Sequence, residues 1–484
     1  MNLKIVLLWT DAVLWLMLAA LLYYIWRVRG SPNLRASWTK VFADPAAMAS
    51  AVVLALFLGI TALDSVHYRK ALPPAGGAAA NAPVAYDVRT QSLLDEALQR
   101  QIDSREPTYS LPLATHSFTK ETVQQATGSE RTFPRLQFGG AHLGDPDSEW
   151  LPDLLLRAGG GLIGGVLVTA LAALLTATLH ARRQQIAVRE ALSRINHNDT
   201  ALPLRAALLT VAVVAAIGGP VVALSGPYHV LGTDRTGNDV LYQALKSVRT
   251  AFVIGGLATL ATLPFAVTLG IAAGYFKGWV DEVIQYLYTT LSSMPNVLLI
   301  AACVLMVQVF IDKNPDVFAT SAERSDVRLF LLCVILGVTG WAGLARLLRG
   351  ETLKLRELEY VQAATAFGVG HWRIMARHVF PNVAHLALIT TVLDFSSLIL
   401  YEAVLSYVGV GVDPSMNSFG GMINLARSEM SRDPVVWWSF AAAFGFMVTL
   451  VLAANLFADG VRDAFDPRSR TFRAARVPGR KAMS

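Results

Sequence analysis

Apolar residues run along this chain in long blocks rather than in alternation. Blocks of about 20 residues, each long enough to cross a hydrocarbon core of roughly 30 Å, occupy roughly 5–26, 46–64, 158–180, 205–225, 251–275, 283–311, 329–348, 383–408 and 436–457. The ten-residue alternating segments that mark a membrane β-barrel are not the pattern here. The blocks predict an all-α polytopic membrane protein with about nine transmembrane helices. Pro295 falls inside the sixth block. A proline there removes a backbone hydrogen bond and predicts a kinked helix, and kinked helices can line a cavity.

Between the blocks the largest polar stretch is 65–155. It opens on a linker, "PPAGGAAANAPVA" at 73–85, whose Pro, Gly and Ala content predicts no regular element. Leucines and charges at helical spacing predict one helix around 91–102. The rest, including "FGGAHLGDPDSEWLPD" at 138–153, reads as loop. His116 and His142 lie far apart with no cysteine or paired ligand nearby, so they read as ordinary surface histidines rather than a metal site. The layout is therefore 1–64 N-terminal spans, 65–155 insert, 156–226 transmembrane hairpin, 227–250 an outer segment, 251–460 a transmembrane core with a polar loop at 349–382, and 461–484 a basic tail.

Charge sets orientation. The chain carries a formal net charge of +6, and its basic residues cluster in short loops, which is a topology signal and not a nucleic-acid signal. Arg27, Arg29, Arg35 and Lys40 follow the first block; Arg182, Arg183, Arg189 and Arg194 follow the third. Arg346, Arg349, Lys354, Arg356, Arg373 and Arg377 follow the seventh, and the tail holds seven more cations from Arg462 to Lys481. Alternating sides puts all four groups in the cytoplasm, the N-terminus and insert on the far side, and the C-terminus inside. The first block is followed by Arg27 and Arg29, not by a small-residue cleavage site, so it reads as a span rather than a signal peptide.

One polar stretch stands out between the last two blocks but one: "EYVQAATAFGVGHWRIMARHVFPN", 359–382. Tyr360, Ala363, Ala364 and Phe367 recur at helical spacing and make an apolar stripe on a short helix. Gly368 and Gly370 interrupt it, each costing roughly 1 kcal/mol against Ala in a helix interior. A second short helix carries Trp372, Ile374 and Met375, and Pro381 opens the next span, where a first-turn proline is tolerated. The stripe and basic rim suit a docking surface; they equally suit an amphipathic connector lying on lipid.

Reaction chemistry is not signalled. No Gly-x-x-x-x-Gly-Lys-Ser/Thr occurs to cradle a nucleotide, and no Ser/His/Asp, Cys/His or His-Glu-x-x-His array is present. The chain is read as a non-enzyme with no cofactor or metal of its own. Cys303 and Cys333 lie in apolar blocks and read as packing residues. Asp394 and Glu402 are acids inside a span, a functional-site hypothesis by default; for Glu402 the competing reading is an acid wetted at the end of its span. Asp234, Arg235 and Asp239 precede the fifth block, where Thr233 or Asp234 is the expected N-cap of an amphipathic helix.

The 359–382 stretch resembles the EAA loop of ABC importer permeases: Gln362-Ala363-Ala364, Gly368, then His378-Val379-Phe380-Pro381, with Gln362 for the family's Glu and Phe380 for its Leu. "HVLGTDRTGNDVLYQALKSVRTAF" at 229–252 is similar to the outer motif of C-type permeases of dipeptide, oligopeptide and nickel importers, with Asn238 for the usual Arg. Gly278, Trp279, Asp281 and Pro295 continue the match, whereas Tyr286 and Thr289 stand where the family commonly has Arg and Asp. The segments 400–423 and 455–468 also match, and 34–64 resembles the family's first span with its lead-in. The chain is thereby identified as an enlarged member of that family, with an extra N-terminal span, the insert and a helical hairpin.

The resemblance implies the ABC importer permease fold in the C-terminal part and a bacterial inner-membrane location. It implies a second homologous permease, two ATPase subunits that bind ATP and Mg, and a periplasmic or lipid-anchored solute-binding protein as partners. It makes 359–381 the ATPase-coupling loop, with the neutral Gln362 weakening any ion pair there while keeping its hydrogen bonds. It places Asp234 and Asp239 at the outer gate, and it matches Glu402, though not Asp394, to a family acid. Pro295, Asp394 and Glu402 complete the candidate pathway residues. Two alternatives stay open: a transport-inactive scaffold, to which the departures at Gln362, Asn238 and Thr289 lend weight, and an ABC complex working in efflux or on the envelope. A secondary transporter would need two repeated halves with broken helices, and no such repeat is read.

Overall fold

The computed structural model describes residues 3–72, 86–125, 128–315, 318 and 320–465. The chain begins with β1 (Leu3–Val6) and three helices, α1 (Trp9–Gly30), α2 (Pro32–Ala43) and α3 (Pro45–Asp64). Then come β2 (His67–Lys70), β3 (Gln91–Ser92), the short α4 (Leu93–Ala97) and α5 (Gln99–Asp103), and the hairpin β4 (Glu121–Gln125) and β5 (Gly128–Thr132). A helical hairpin follows: α6 (Pro146–Gln184), α7 (Val188–Asn196) and α8 (Leu204–Leu224). The remainder is α9 (Val240–Phe276), α10 (Gly278–Ser293), α11 (Asn296–Lys313), α12 (Ser321–Gly340), α13 (Ala342–Arg356), α14 (Glu359–Ala366), α15 (His371–Ile374), α16 (Phe380–Tyr407), α17 (Phe419–Glu429) and α18 (Trp438–Phe465). Among the described residues nine helical segments are long and apolar enough to cross a membrane, one for each apolar block. The proposed linker at 73–85 lies outside the described residues.

The core forms around α9. Midway along it, Val253, Ile254, Leu257 and Ala258 pack with Leu329, Leu332, Cys333 and Leu336 of α12 and with Ile300 and Val304 of α11. Near its end, Ala266, Ile271 and Tyr275 pack with Leu344, Ala345 and Leu348 of α13 and with Ile374 and Val379. On a third side, Val248 and Ala251 meet Phe57 of α3, Ile399 of α16 and Leu450 of α18.

Several boundaries differ from the sequence expectation, each for a local reason. Residues 3–6 are not helical: β1 pairs antiparallel with β2, Leu3 opposite Lys70 and Val6 opposite His67. That pairing puts the start of the chain at the same end of the bundle as the insert. The expected helix at 91–102 is split into β3, α4 and α5. The stretch expected to be loop at 138–153 contains the start of α6: Asp145 caps it, accepting from Asp147 N, and Pro146 occupies the first turn. The N-cap of α9 is Asp239, not Thr233 or Asp234, and the helix continues unbroken through the fifth block. Pro295 does not kink one helix but separates two. Met294 before it is extended, at φ −88° and ψ 141°, as the residue preceding a proline prefers.

The extra N-terminal helix is joined to the permease-like core by buried charge. Arg249 of α9 donates from Nη2 to Asp11 Oδ1 (2.5 Å) and to Thr10 Oγ1 (2.8 Å). Asp326 of α12 accepts from Thr10 N (3.0 Å), and His67 Nδ1 lies 2.7 Å from Asp11 Oδ2. Thr10, Asp11, Arg249 and Asp326 are all buried. Removing one partner of such a set strands the others and costs about 3–5 kcal/mol.

The hairpin of α6 and α8 is held by backbone proximity. A Cβ placed on Gly165 would lie 2.3 Å from Ala215 O, and one on Gly161 would lie 2.5 Å from Gly219 O. Small residues let membrane helices approach closely enough for dispersion to act. Gly165→Val should therefore separate the pair at roughly 1–3 kcal/mol and lower the melting temperature of the purified protein. Gly160→Val, at a position with open space around it, should leave the melting temperature unchanged.

Candidate functional site

The two ends of the bundle carry different devices. At the end remote from the insert, α14, α15 and the turn between them form a bent element. Val361, Ile374 and Val379 are buried against the end of α9 and against α13, each worth roughly 1.5–3 kcal/mol. The other face is open: Phe367 is 87% and Trp372 73% exposed, with Tyr360 partly so. Of the apolar stripe, Ala364 turns partly inward while Tyr360, Ala363 and Phe367 point out. This hydrophobic face, rimmed by the exposed Arg373 and Arg377, is therefore surface rather than core, open to a partner or to lipid.

Sequence chemistry shapes the bend. Gly368 sits at φ +72° with open space where a Cβ would lie, so its requirement is conformational rather than steric. Gly370, at φ −57°, is the N-cap of α15. From there the chain passes through a π-helical turn, Met375–Val379, into α16, with Pro381 in the first turn. His378 lies in that turn, its carbonyl accepting from Asn382 Nδ2 (2.6 Å). Gln362 is exposed and donates to the Glu357 carbonyl at 3.1 Å. The element is pinned to α9 by Tyr275 OH with His371 Nδ1 (3.0 Å), by Arg356 Nη1 donating to Tyr275 O (2.6 Å) and by Lys277 with Glu357 (2.8 Å). Arg349 of α13 donates twice to Asp281 of α10, at 2.6 and 2.7 Å, a bidentate pair that the sequence reading left unmatched.

At the insert end the loop before α9 is roofed by the insert. Asp239 caps α9 through Tyr242 N (3.0 Å) and holds His229 Nδ1 at 2.8 Å. His229 Nε2 lies 3.6 Å from Glu106 Oε1 of the insert, an ion contact rather than a hydrogen bond. Glu106 also accepts from the backbone N–H groups of Gln137, Phe138 and Gly139, at 2.9, 2.8 and 2.9 Å. Gly237 leaves room for the Glu106 carbonyl, which would lie 1.6 Å from any Cβ there. Asp234 binds its own loop, accepting from Thr236 N and Asn238 N and from Gln243 Nε2 (2.5 Å). Asn238, which replaces a family Arg, thus closes a turn. Around this latch, Trp438 Nε1 donates to Thr233 O (2.9 Å), Phe118 meets the Trp438 ring edge-on at 4.9 Å, and Tyr109 OH donates to Glu429.

The candidate pathway residues are therefore distributed. Asp234 and Asp239 are engaged inside the latch, and Pro295 is the break between α10 and α11. Glu402 is not wetted at the end of its span: it is 3% exposed, accepts from Ser406 Oγ (2.6 Å), and faces Gly420 of α17. Asp394 is half-buried in α16 and makes no hydrogen bond or ion pair among the described residues. Glu106, His229 and Arg249 were not singled out from the sequence as site residues; their partners lie in distant parts of the chain.

Comparison with known proteins places these features in context. Residues 266–471 match the family described as binding-protein-dependent transport system inner membrane component. The chain is 31% identical over 309 residues to the oligopeptide transport system permease protein OppC of Mycobacterium tuberculosis (strain ATCC 25618 / H37Rv), covering 61% of this chain and 98% of that protein. It is 31% identical over 243 residues to the glutathione transport system permease protein GsiD of Pectobacterium atrosepticum, covering 50% of this chain and 74% of the relative. The dipeptide transport system permease protein DppC of Lactococcus lactis subsp. cremoris is 30% identical over 243 residues, with 50% and 64% covered.

The latch carries a pH signature. Burial lowers the His229 pKa, but Asp239 and Glu106 outweigh it and raise it from 6.5 to about 9. Burial raises the Glu106 pKa, but His229 and the three backbone donors bring it from 4.5 down to about 2. The His229 contribution is complete below pH 6.5 and lost as pH rises through about 9; the Glu106 contribution is complete above pH 4.5 and lost as pH falls toward about 2. Thermal stability of the purified protein should thus fall from pH 6.5 to 9, and His229→Gln should be less stable at pH 6 and lose that slope. A parent protein whose melting temperature rises across this interval would contradict the assignment.

Proposed function

Because the chain belongs to the binding-protein-dependent family of inner-membrane permeases, as a C-type ABC importer permease, we propose that it forms one half of a solute pathway driven by separate ATPase subunits. The pathway runs between this chain and a second, homologous permease, and the solute is a peptide or a similarly small molecule. That class follows from the oligopeptide, dipeptide and glutathione systems named for its relatives. The chain itself carries no reaction chemistry, and ATP and Mg are held by the partners. A solute-binding protein delivers cargo at the insert end, in the periplasm, and the basic end with the C-terminus is cytoplasmic.

The observation that carries the reading is the 359–374 element. It offers a pinned base and an exposed apolar face containing Phe367 and Trp372, the form of a knob that fills a partner's groove. Closure of the ATPases on nucleotide moves this knob. Because α15 is bonded to the end of α9, the movement reaches the helix whose other end Asp239 caps. The alternation is a population shift between inward-open and outward-open arrangements. Gln362 supplies amide hydrogen bonds where the family has a carboxylate, so the docking is less ionic. Among the candidate pathway acids, Asp394 is the one whose carboxylate is not engaged by a described neighbour.

Affinity purification from gently solubilised membranes tests the reading. The parent should bring down a second permease and ATPase subunits. Gly368→Ala, which forces a side chain into a φ of +72°, should lose most of the ATPase, whereas Gly370→Ala should keep it. Absence of any ATPase from the parent, under conditions that preserve a control ABC complex, would favour the scaffold alternative.

A further inference from the structure

We propose that the elbow between α1 and α2 binds the headgroup of an anionic phospholipid. The elbow frames an open cleft of about 500 Å³ lined by Arg29, Gly30, Pro32, Arg35, Ala36 and Thr39. Its two guanidinium groups come from different helices, Arg29 from the last turn of α1 and Arg35 from the first half of α2. Among the described residues, neither of them nor the neighbouring Arg27 and Lys40 makes an ion pair. Two unpaired guanidinium groups facing one cleft favour a phosphodiester, which each can bind through paired N–H donors.

The geometry is fixed in advance. Trp38 and Val41, on the opposite face of α2, pack against Phe457, Val461 and Phe465 of α18, and Trp38 Nε1 donates to Tyr24 OH of α1 at 3.1 Å. The elbow therefore does not have to be ordered by its ligand, which removes part of the entropic cost of binding.

The surface above the cleft distinguishes a lipid from a soluble phosphate. The lower half of α1 exposes Leu21, Leu22 and Ile25, with the aromatic rings of Tyr23 and Trp26 also open. Aromatic residues of this kind belong at the interface level of a bilayer, and Leu21 and Leu22, deeper in the span and farther from the cleft, offer a track for acyl chains. Only a molecule with both a phosphate and hydrocarbon chains uses both parts. Basic groups beside a span draw anionic lipid with about 1 kcal/mol each, which is about fivefold in affinity per arginine. This site does not depend on the chain being an active transporter.

Native mass spectrometry of the full chain, exchanged into micelles containing phosphatidylglycerol or phosphatidylcholine, tests the site. The parent should retain phosphatidylglycerol preferentially. Arg29→Ala/Arg35→Ala should lower that retention by about 25-fold, with an unchanged melting temperature in phosphatidylcholine micelles. Arg182→Ala/Arg183→Ala, which removes equal charge from the last turn of α6, should retain the lipid as the parent does. The conservative Arg29→Lys/Arg35→Lys pair should recover part of the retention. Equal loss in both alanine pairs would reduce the effect to general surface charge and overturn the site. Complete displacement of the lipid by millimolar inorganic phosphate would make the ligand a soluble anion instead. Loss of a co-purified ATPase subunit from the Arg29/Arg35 alanine pair, with lipid retention unchanged, would make the elbow a protein contact.

Discussion

The structure depends on α9 being one uninterrupted helix. At 1.5 Å per residue its 37 residues reach about 55 Å, well beyond a hydrocarbon core of roughly 30 Å. Both ends therefore stand outside the hydrocarbon, and each is anchored by polar contacts. At one end Asp239 caps the helix and meets His229; at the other Tyr275 meets His371 and accepts from Arg356. Between them α3, α11, α12, α13, α16 and α18 pack on its sides. A displacement of the docking element has a stiff, continuous path to the loop roofed by the insert. Such a path is a physical means of coupling, and it requires that the packed interfaces along α9 have more than one stable arrangement.

The additions to the family fold attach through polar contacts and close backbone packing rather than through a larger greasy core. The first helix joins by the buried set of Thr10, Asp11, Arg249 and Asp326, and the insert by Glu106 on His229 and by its own backbone, Glu106 N donating to Gly237 O (3.0 Å) and Ser110 N to Thr233 Oγ1 (2.7 Å). A buried ion pair adds little net stability compared with a hydrophobic replacement, but it tolerates no misplacement. The proposed consequence is positional: the insert rides with the loop it covers, so whatever docks at that end meets the insert as well as the family's own segment.

The spans were legible because lipid leaves the backbone no partner but itself, and only long apolar runs satisfy that constraint. Boundaries were less so. The start of α6 was announced by Asp145-Pro146 but hidden by a polar first turn that reads as loop. Pro295 was visible, yet whether it bends or breaks a helix is decided by the extended Met294 before it. In the 359–374 element the periodic stripe of Tyr360, Ala363, Ala364 and Phe367 faces mostly outward, with Ala364 half-buried; periodicity does not say whether such a face turns inward. Val361, outside the stripe, is the residue α14 buries, and most of the stripe is left exposed. Glu106 with His229 and Asp11 with Arg249 were out of reach because pairings over more than a hundred residues follow from the folded bundle and have no local pattern.

The central claim is that the exposed face of 359–374 seats in an ATPase subunit. A photo-activated cross-linking residue at position 367, compared with one at the exposed Leu156 of α6 in intact membranes, tests it directly. The account predicts that position 367 captures a protein identified by mass spectrometry as an ABC ATPase, more strongly without nucleotide trapping than position 156 under any condition. Capture of lipid alone at both positions, in membranes where the ATPase is present, would contradict it.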